Sequence, residues 1–327
     1  MFDFFNRNSF LSYAALPLVV VVMRLRIIVS PHVGFSVSDT DLYTPVWTAV
    51  FGSLTLGSML SVAIAIAVAL IIAFLANSIN NRYHFTPRQN NLCGFFFPIL
   101  SGGFVVAQGI HPMNIFMILF VLAMYRILTG EEEPSPSGRK FFEAGVLIGL
   151  SYLLWAKTLW FVPFLLIMMA MLRMFNGRNI LGLIVGILFL PVVFIAHEFL
   201  TDADWRAPIE TYRALTVVPV AFYKTGWLAR SYLIFYSLVL LLAILSSLGR
   251  LHRLKIIESR QTRVVMWLVF YTALLIMTPY FSFELQMPLA FGGALLLAIW
   301  MQTLRSNFRE AVTAILIIFT LVVQWYL

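Results

Sequence analysis

The sequence has almost nothing from which to build a redox, metal or disulfide framework. Its 327 residues include one cysteine, Cys93, and five histidines. A single thiol excludes an intramolecular disulfide, and no CxxC or Cys/His cluster is present to hold a metal or an iron–sulfur centre. Charge is equally scarce: 11% of residues are charged, against about 25% in soluble globular domains. Within the apolar stretches ionisable residues nearly vanish, which argues against a proton-coupled pump, because such machines bury several. No internal repeat is evident, which argues against an inverted-repeat transporter. The first residues lack a multi-lysine segment and a small-residue cleavage site, so the first apolar run reads as a retained helix.

What the chain does have is apolar length. Hydrophobic residues make up 61% of it and the mean hydropathy is +0.92. A membrane-crossing helix needs about 20 such residues, because the hydrocarbon core is about 30 Å thick and a helix rises about 1.5 Å per residue. On that measure the chain is an all-α, polytopic transmembrane helical bundle of about eleven spans in one membrane-embedded domain, with no separate soluble domain. The spans run Phe10 to Ile28, Val50 to Leu75, Leu92 to Gln108, Met113 to Leu128, Phe142 to Trp155, Leu159 to Leu172, Ile180 to Ala196, Ser231 to Leu248, Val264 to Pro279, Met287 to Met301 and Ala311 to Trp325. The fifth and sixth form one apolar stretch interrupted at Trp155-Ala156-Lys157-Thr158. They are divided because a lysine at mid-bilayer costs roughly 3 kcal/mol on insertion scales; one long tilted helix is the alternative.

The net charge of +8 would suit nucleic acid only if the basic residues formed a stripe. Instead they fall in the gaps between spans, alternately dense and sparse, so no nucleic-acid partner is expected. Fifteen of the 22 share one side: Arg7, Arg82, Arg88, Arg126, Arg139, Lys140, Arg173, Arg178, Arg250, Arg253, Lys255, Arg260, Arg263, Arg305 and Arg309. The positive-inside rule makes that side cytoplasmic, with the N-terminus inside and the C-terminus in the periplasm. The acidic, Pro/Ser-rich connector 131–138 reads as a mobile cytoplasmic loop. The basic segment Arg250 to Arg263 serves either topology retention or attraction to anionic headgroups. Small residues four apart, Gly145/Gly149 and Gly182/Gly186, permit close helix contact.

Seven basic residues lie on the outward side: Arg24, Arg26, Lys157, Arg206, Arg213, Lys224 and Arg230. Six of them belong to the two outward loops long enough to build a site. The first loop carries Arg24 and Arg26 at the membrane edge, then Asp39, Asp41 and Tyr43. An exposed aspartate there suits a general base or a divalent-cation ligand, and the arginine forks suit a lipid phosphate; a solvated connector capped by Asp41 or Ser38 is the plainer reading. The second loop carries Asp202, Asp204, Arg206 and Arg213 among aromatics, and reads as an interfacial helix or as a second wall of a site. Lys157, between Trp155 and Trp160, meets an anionic substrate or snorkels beside an aromatic belt. His111 and Glu284 are isolated outward-side groups suited to proton relay or to ordinary turns.

Three segments carry a family resemblance: Phe4-Phe5-Asn6-Arg7-Asn8-Ser9, Asn77-Ser78-Ile79-Asn80-Asn81-Arg82-Tyr83 before Leu92 to Leu100, and Phe142 to Leu153. Over roughly the first 200 residues the chain resembles an uncharacterised family of polytopic inner-membrane proteins of Gram-negative bacteria. More distantly, an inward N-terminus, one span, and an outward loop with Asp39, Asp41 and Tyr43 is similar to the polyprenyl-phosphate-dependent glycosyltransferases of the GT-C fold. That resemblance implies a bacterial inner-membrane location and a polyprenyl-phosphate-linked substrate. By position, it makes Asp39 or Asp41 the catalytic acid or the ligand of a divalent cation. This chain lacks the soluble outward domain and the second acidic motif of many GT-C members. Two other classes remain: a non-catalytic subunit with protein partners in an envelope secretion or motility assembly, and a transporter or flippase. All three have membrane lipids as partners.

Overall fold

The computed structural model describes residues 2–30, 43–52, 58–104, 108–131, 138–201, 206–218, 227–281 and 283–326. Among them all regular structure is helical. In chain order the α-helices are α1 (Phe2–Phe5), α2 (Phe10–Val22), α3 (Leu25–Val29), α4 (Pro45–Phe51), α5 (Met59–Tyr83), α6 (Leu92–Ser101), α7 (Pro112–Glu131) and α8 (Gly138–Leu154). They continue as α9 (Val162–Met171), α10 (Gly177–Leu200), α11 (Arg206–Thr216), α12 (Trp227–Arg250), α13 (Ile256–Ile276), α14 (Gln286–Met301) and α15 (Ser306–Tyr326). A 3-10 turn over Ala156–Phe161 joins α8 to α9.

Among the described residues five stretches are long and apolar enough to cross a membrane: Met59–Tyr83, Pro112–Glu131, Gly177–Leu200, Arg230–Arg253 and Ser306–Tyr326. Other expected spans form shorter helices. The stretch expected to run from Leu92 to Gln108 leaves the helix after Ser101, and that from Met287 to Met301 occupies α14, whose 16 residues are all buried. A helix that is apolar all round is buried, and the surfaces of α6 and α14 face other helices of the first unit.

The helices group into two compact units. The first comprises residues 1–36, 56–111 and 220–327; the second comprises 37–55 and 112–219. In the first, α6 and α14 are the buried centre. The small residues Ala65, Ala69, Ala73 and Ala76 of α5 are buried. Asn77 Oδ1 accepts from the Gly94 amide at 2.6 Å, and a Cβ on Gly94 would lie 2.5 Å from Asn77 Nδ2, so glycine is required there. Nearer the end of α5, Asn80, Thr86 and Asn90 bond one another in a buried network. The first residues close this end: Phe5 stacks on Phe95, and Arg309 covers the Phe2 ring while bonding Asp3 at 2.7 Å.

In the second unit, α8 and α10 pack backbone to backbone. A Cβ on Gly145 would lie 2.3 Å from the Leu183 carbonyl oxygen, and one on Gly186 would lie 2.3 Å from that of Phe142. Gly149 and Gly182 meet the facing backbone at 2.5 and 2.8 Å. Glu143 receives Arg139 at 2.9 Å and Arg126 at 3.5 Å at the charged end of the pair. Phe116, Phe120, Phe161 and Phe164 form a ring cluster joining α7 to the 3-10 turn and α9.

Candidate functional site

The helix expected to break near Lys157 does break there. α8 ends at Leu154, Trp155 is extended (φ −148°, ψ 104°), and the 3-10 turn follows before Pro163 opens α9. A helix end leaves its last carbonyls without intrahelical donors. Here side chains from distant segments fill the gap. Thr44 Oγ1 lies 2.8 Å from the Leu153 oxygen and 3.0 Å from the Leu154 oxygen, and the Tyr212 hydroxyl donates to the Leu153 oxygen at 2.7 Å. Thr44 also caps α4, accepting from the Trp47 amide at 3.2 Å. Trp160 Nε1 donates to the Thr216 carbonyl at 3.0 Å, tying the 3-10 turn to the end of α11.

The segment after the first long loop, the broken helix and the helix of the second long loop therefore meet at one place in the second unit. α11 is amphipathic. Tyr212 and Leu215 face inward, while Arg206, Glu210 and Arg213 are exposed. The Tyr212 ring lies against Tyr152 (5.2 Å between centroids) and Phe194 (6.4 Å). Burial pushes the Tyr212 hydroxyl up to about 12, with its Thr44 hydrogen bond acting in the opposite direction; it remains a neutral donor at physiological pH. Lys157, 4% exposed, sits on the turn, and next to it the buried Thr158 hydroxyl has no hydrogen-bond partner among the described residues.

Of the residues singled out by sequence, Tyr43, Lys157, Arg206 and Arg213 thus belong to this assembly; Tyr43 packs near Trp47, 6.2 Å between rings. Asp39, Asp41, Asp202 and Asp204 lie outside the described residues. Arg24 and Arg26 belong to the first unit. There Arg24 is fully buried and donates to the Gln108 carbonyl at 2.6 Å, and Arg26 lies over the Trp325 ring at 5.2 Å. His111 and Glu284, considered separately in the sequence, approach each other to 3.8 Å in the first unit.

Sequence reasoning missed Thr44, Trp160 and Tyr212. Tyr212 and Leu215, three apart on a short polar segment, signalled an inward face; nothing local signalled that Thr44 would serve carbonyls more than 100 residues away. Among the described residues no group of three or more His, Cys, Asp or Glu side chains is placed to hold a metal ion. Compared with protein-family models, characterised proteins and solved structures, the chain matches none.

Proposed function

We propose that the chain is a polytopic protein of a bacterial inner membrane that handles a lipid-linked glycan at the periplasmic leaflet, with the broken helix of the second unit as the centre of its site. The supporting observation is the joint attachment of Thr44 and Tyr212 to the Leu153 carbonyl. A break between two apolar helical segments frees backbone groups that buried side chains or a polar ligand must satisfy. Discontinuous membrane helices are where substrates are held, because their freed ends supply polar groups inside an apolar body. Here the break carries a buried lysine, a threonine hydroxyl without a partner among the described residues, and two tyrosines.

The chemistry of such a site divides between two groups. Asp39 or Asp41 takes the proton from the attacking hydroxyl, the task of a general base. Lys157 balances the charge that grows on the departing phosphate, a task for a fixed cation in a dry site. Tyr43, Arg206 and Arg213, with Asp202 and Asp204, border the glycan. The test is replacement of Asp39 and Asp41 by Asn, singly and together, with surface glycans profiled at matched protein level. Loss of a glycan species is the expected result; an unchanged profile at normal protein level removes the catalytic assignment.

A further inference from the structure

The C-terminal end of α6 gathers more unpaired polar groups than any other region of the first unit. Arg24, 1% exposed, donates through Nη1 to the Gln108 carbonyl, but its buried Nη2 has no partner among the described residues. Gln108 is held in turn: its Nε2 donates to the Gly102 carbonyl and its Oε1 accepts from Gln324 at 3.3 Å. Around Leu100–Gly103 four further buried side-chain oxygens lack partners among the described residues: Ser101 Oγ, Gln286 Oε1, Gln324 Oε1 and the Tyr236 hydroxyl. Contacts place them together. Gln286 Nε2 donates to the Leu100 carbonyl, a Cβ on Gly103 would touch the Tyr232 hydroxyl, and Tyr232 stacks on Tyr236.

Neighbouring backbone accounts for only part of this. The carbonyl ends of α2 and α6 lie close together, since a Cβ on Gly102 would be 2.9 Å from the Met23 oxygen, and helix C-termini offset a fraction of a positive charge. They leave the second guanidinium nitrogen unbonded, and they do nothing for the hydroxyls and amides. No carboxylate among the described residues pairs with Arg24 or Arg26. A buried cation without an anion and buried hydrogen-bonding groups without partners are both costly. What satisfies both is a ligand with anionic oxygens at one end and hydroxyls at the other.

Next to this cluster, Arg26 lies over Trp325 with its Nε also buried and without a partner among the described residues, while Trp325 is half exposed and Tyr326 largely so. An arginine stacked on an aromatic pair of this kind marks headgroup depth in a membrane. Phosphate oxygens match the guanidinium fork. We infer that the first unit binds a hydroxyl-bearing phosphodiester lipid headgroup, its phosphate on Arg24 and Arg26 and its hydroxyls among Tyr236, Gln286, Gln324 and Ser101. The site is independent of glycan chemistry and is tested without it.

The test titrates the full-length protein, in uncharged detergent at constant salt, with dihexanoyl phosphatidylglycerol, dihexanoyl phosphatidylcholine and inorganic phosphate. Phosphatidylglycerol is expected to bind about tenfold more tightly than the other two, and Arg24→Gln to lose about tenfold, the size of a hydrogen bond to a charged group. Tyr236→Phe is the companion variant because it keeps the packing. If its hydroxyl meets the ligand, phosphatidylglycerol binding weakens several-fold while thermal stability holds or rises, since a buried hydroxyl without a partner contributes nothing to the fold. Inorganic phosphate binding as tightly as phosphatidylglycerol overturns the headgroup assignment. Equal phosphatidylglycerol binding by wild type and Arg24→Gln, or by wild type and Tyr236→Phe should Arg24→Gln not fold, overturns the site, as does binding of none of the probes.

Discussion

Tyr212 holds its proton because the folded chain surrounds it with apolar rings and offers its hydroxyl a carbonyl. A phenol ionises near 10 when unfolded and near 12 here. The sign follows: the raised value favours the fold fully below about pH 10, and that contribution disappears as pH climbs toward 12, because only the unfolded chain gives up the proton easily. Tyr212→Phe is therefore expected to lower the melting temperature at pH 8, through loss of one hydrogen bond worth about 1 kcal/mol. It should also flatten the alkaline decline between pH 10 and 12. Melting curves in detergent at pH 8, 10 and 11 decide it; parallel declines for both proteins would show that the hydroxyl does not titrate as described. The sequence flagged the neighbouring Lys157, Arg206 and Arg213 because charge in an apolar chain is conspicuous, whereas a tyrosine and a threonine in a loop are not.

Between elements, the tightest fit is that of α8 against α10, where glycines from both helices meet carbonyl oxygens of the partner. Gly145→Ala or Gly186→Ala would place a methyl group 2.3 Å from a backbone atom, and no rotamer change can move backbone aside. The helices must separate, and overpacking of this kind costs about 1–3 kcal/mol or more. Gly249→Ala in α12 is the control, with nothing within 4 Å of the added carbon; it is expected to be neutral or to stabilise by up to about 1 kcal/mol through helix propensity. Thermal unfolding of the three variants reads the contrast, and equal shifts would rule out the close approach. The four-residue glycine spacings were visible in the sequence on both helices. That the two sets face each other was not, because spacing describes one helix and pairing describes two.

At the scale of the whole molecule, the distribution of basic residues makes a definite claim about sidedness. Glu210→Cys on the exposed face of α11 and Arg253→Cys after α12 test it, with the native Cys93 silent because it is buried. In intact cells a membrane-impermeant maleimide is expected to label position 210 only, and position 253 only after permeabilisation. The reverse pattern would invert the topology. Hydropathy expected eleven spans, while length and composition single out five membrane-length stretches among the described residues. The difference arises because several expected spans fall on helices too short to cross alone: α2 has 13 residues, α6 and α9 have 10 each, and α14 has 16.

Composition and periodicity by themselves determined that this chain is helical and apolar, that its charges sit between apolar runs, and that a break falls at Lys157. Each of these depends on residues near one another in sequence, where hydrophobic transfer and helix geometry act directly. Only the tertiary structure decided that Thr44 and Tyr212 complete the carbonyls of that break, and that Arg24 is buried beside Gln108 and Gln324 with no acid paired to it among the described residues. Those arrangements join segments separated by about 60 to more than 200 residues. They follow from where helix ends leave hydrogen-bonding groups unpaired, which no local pattern encodes.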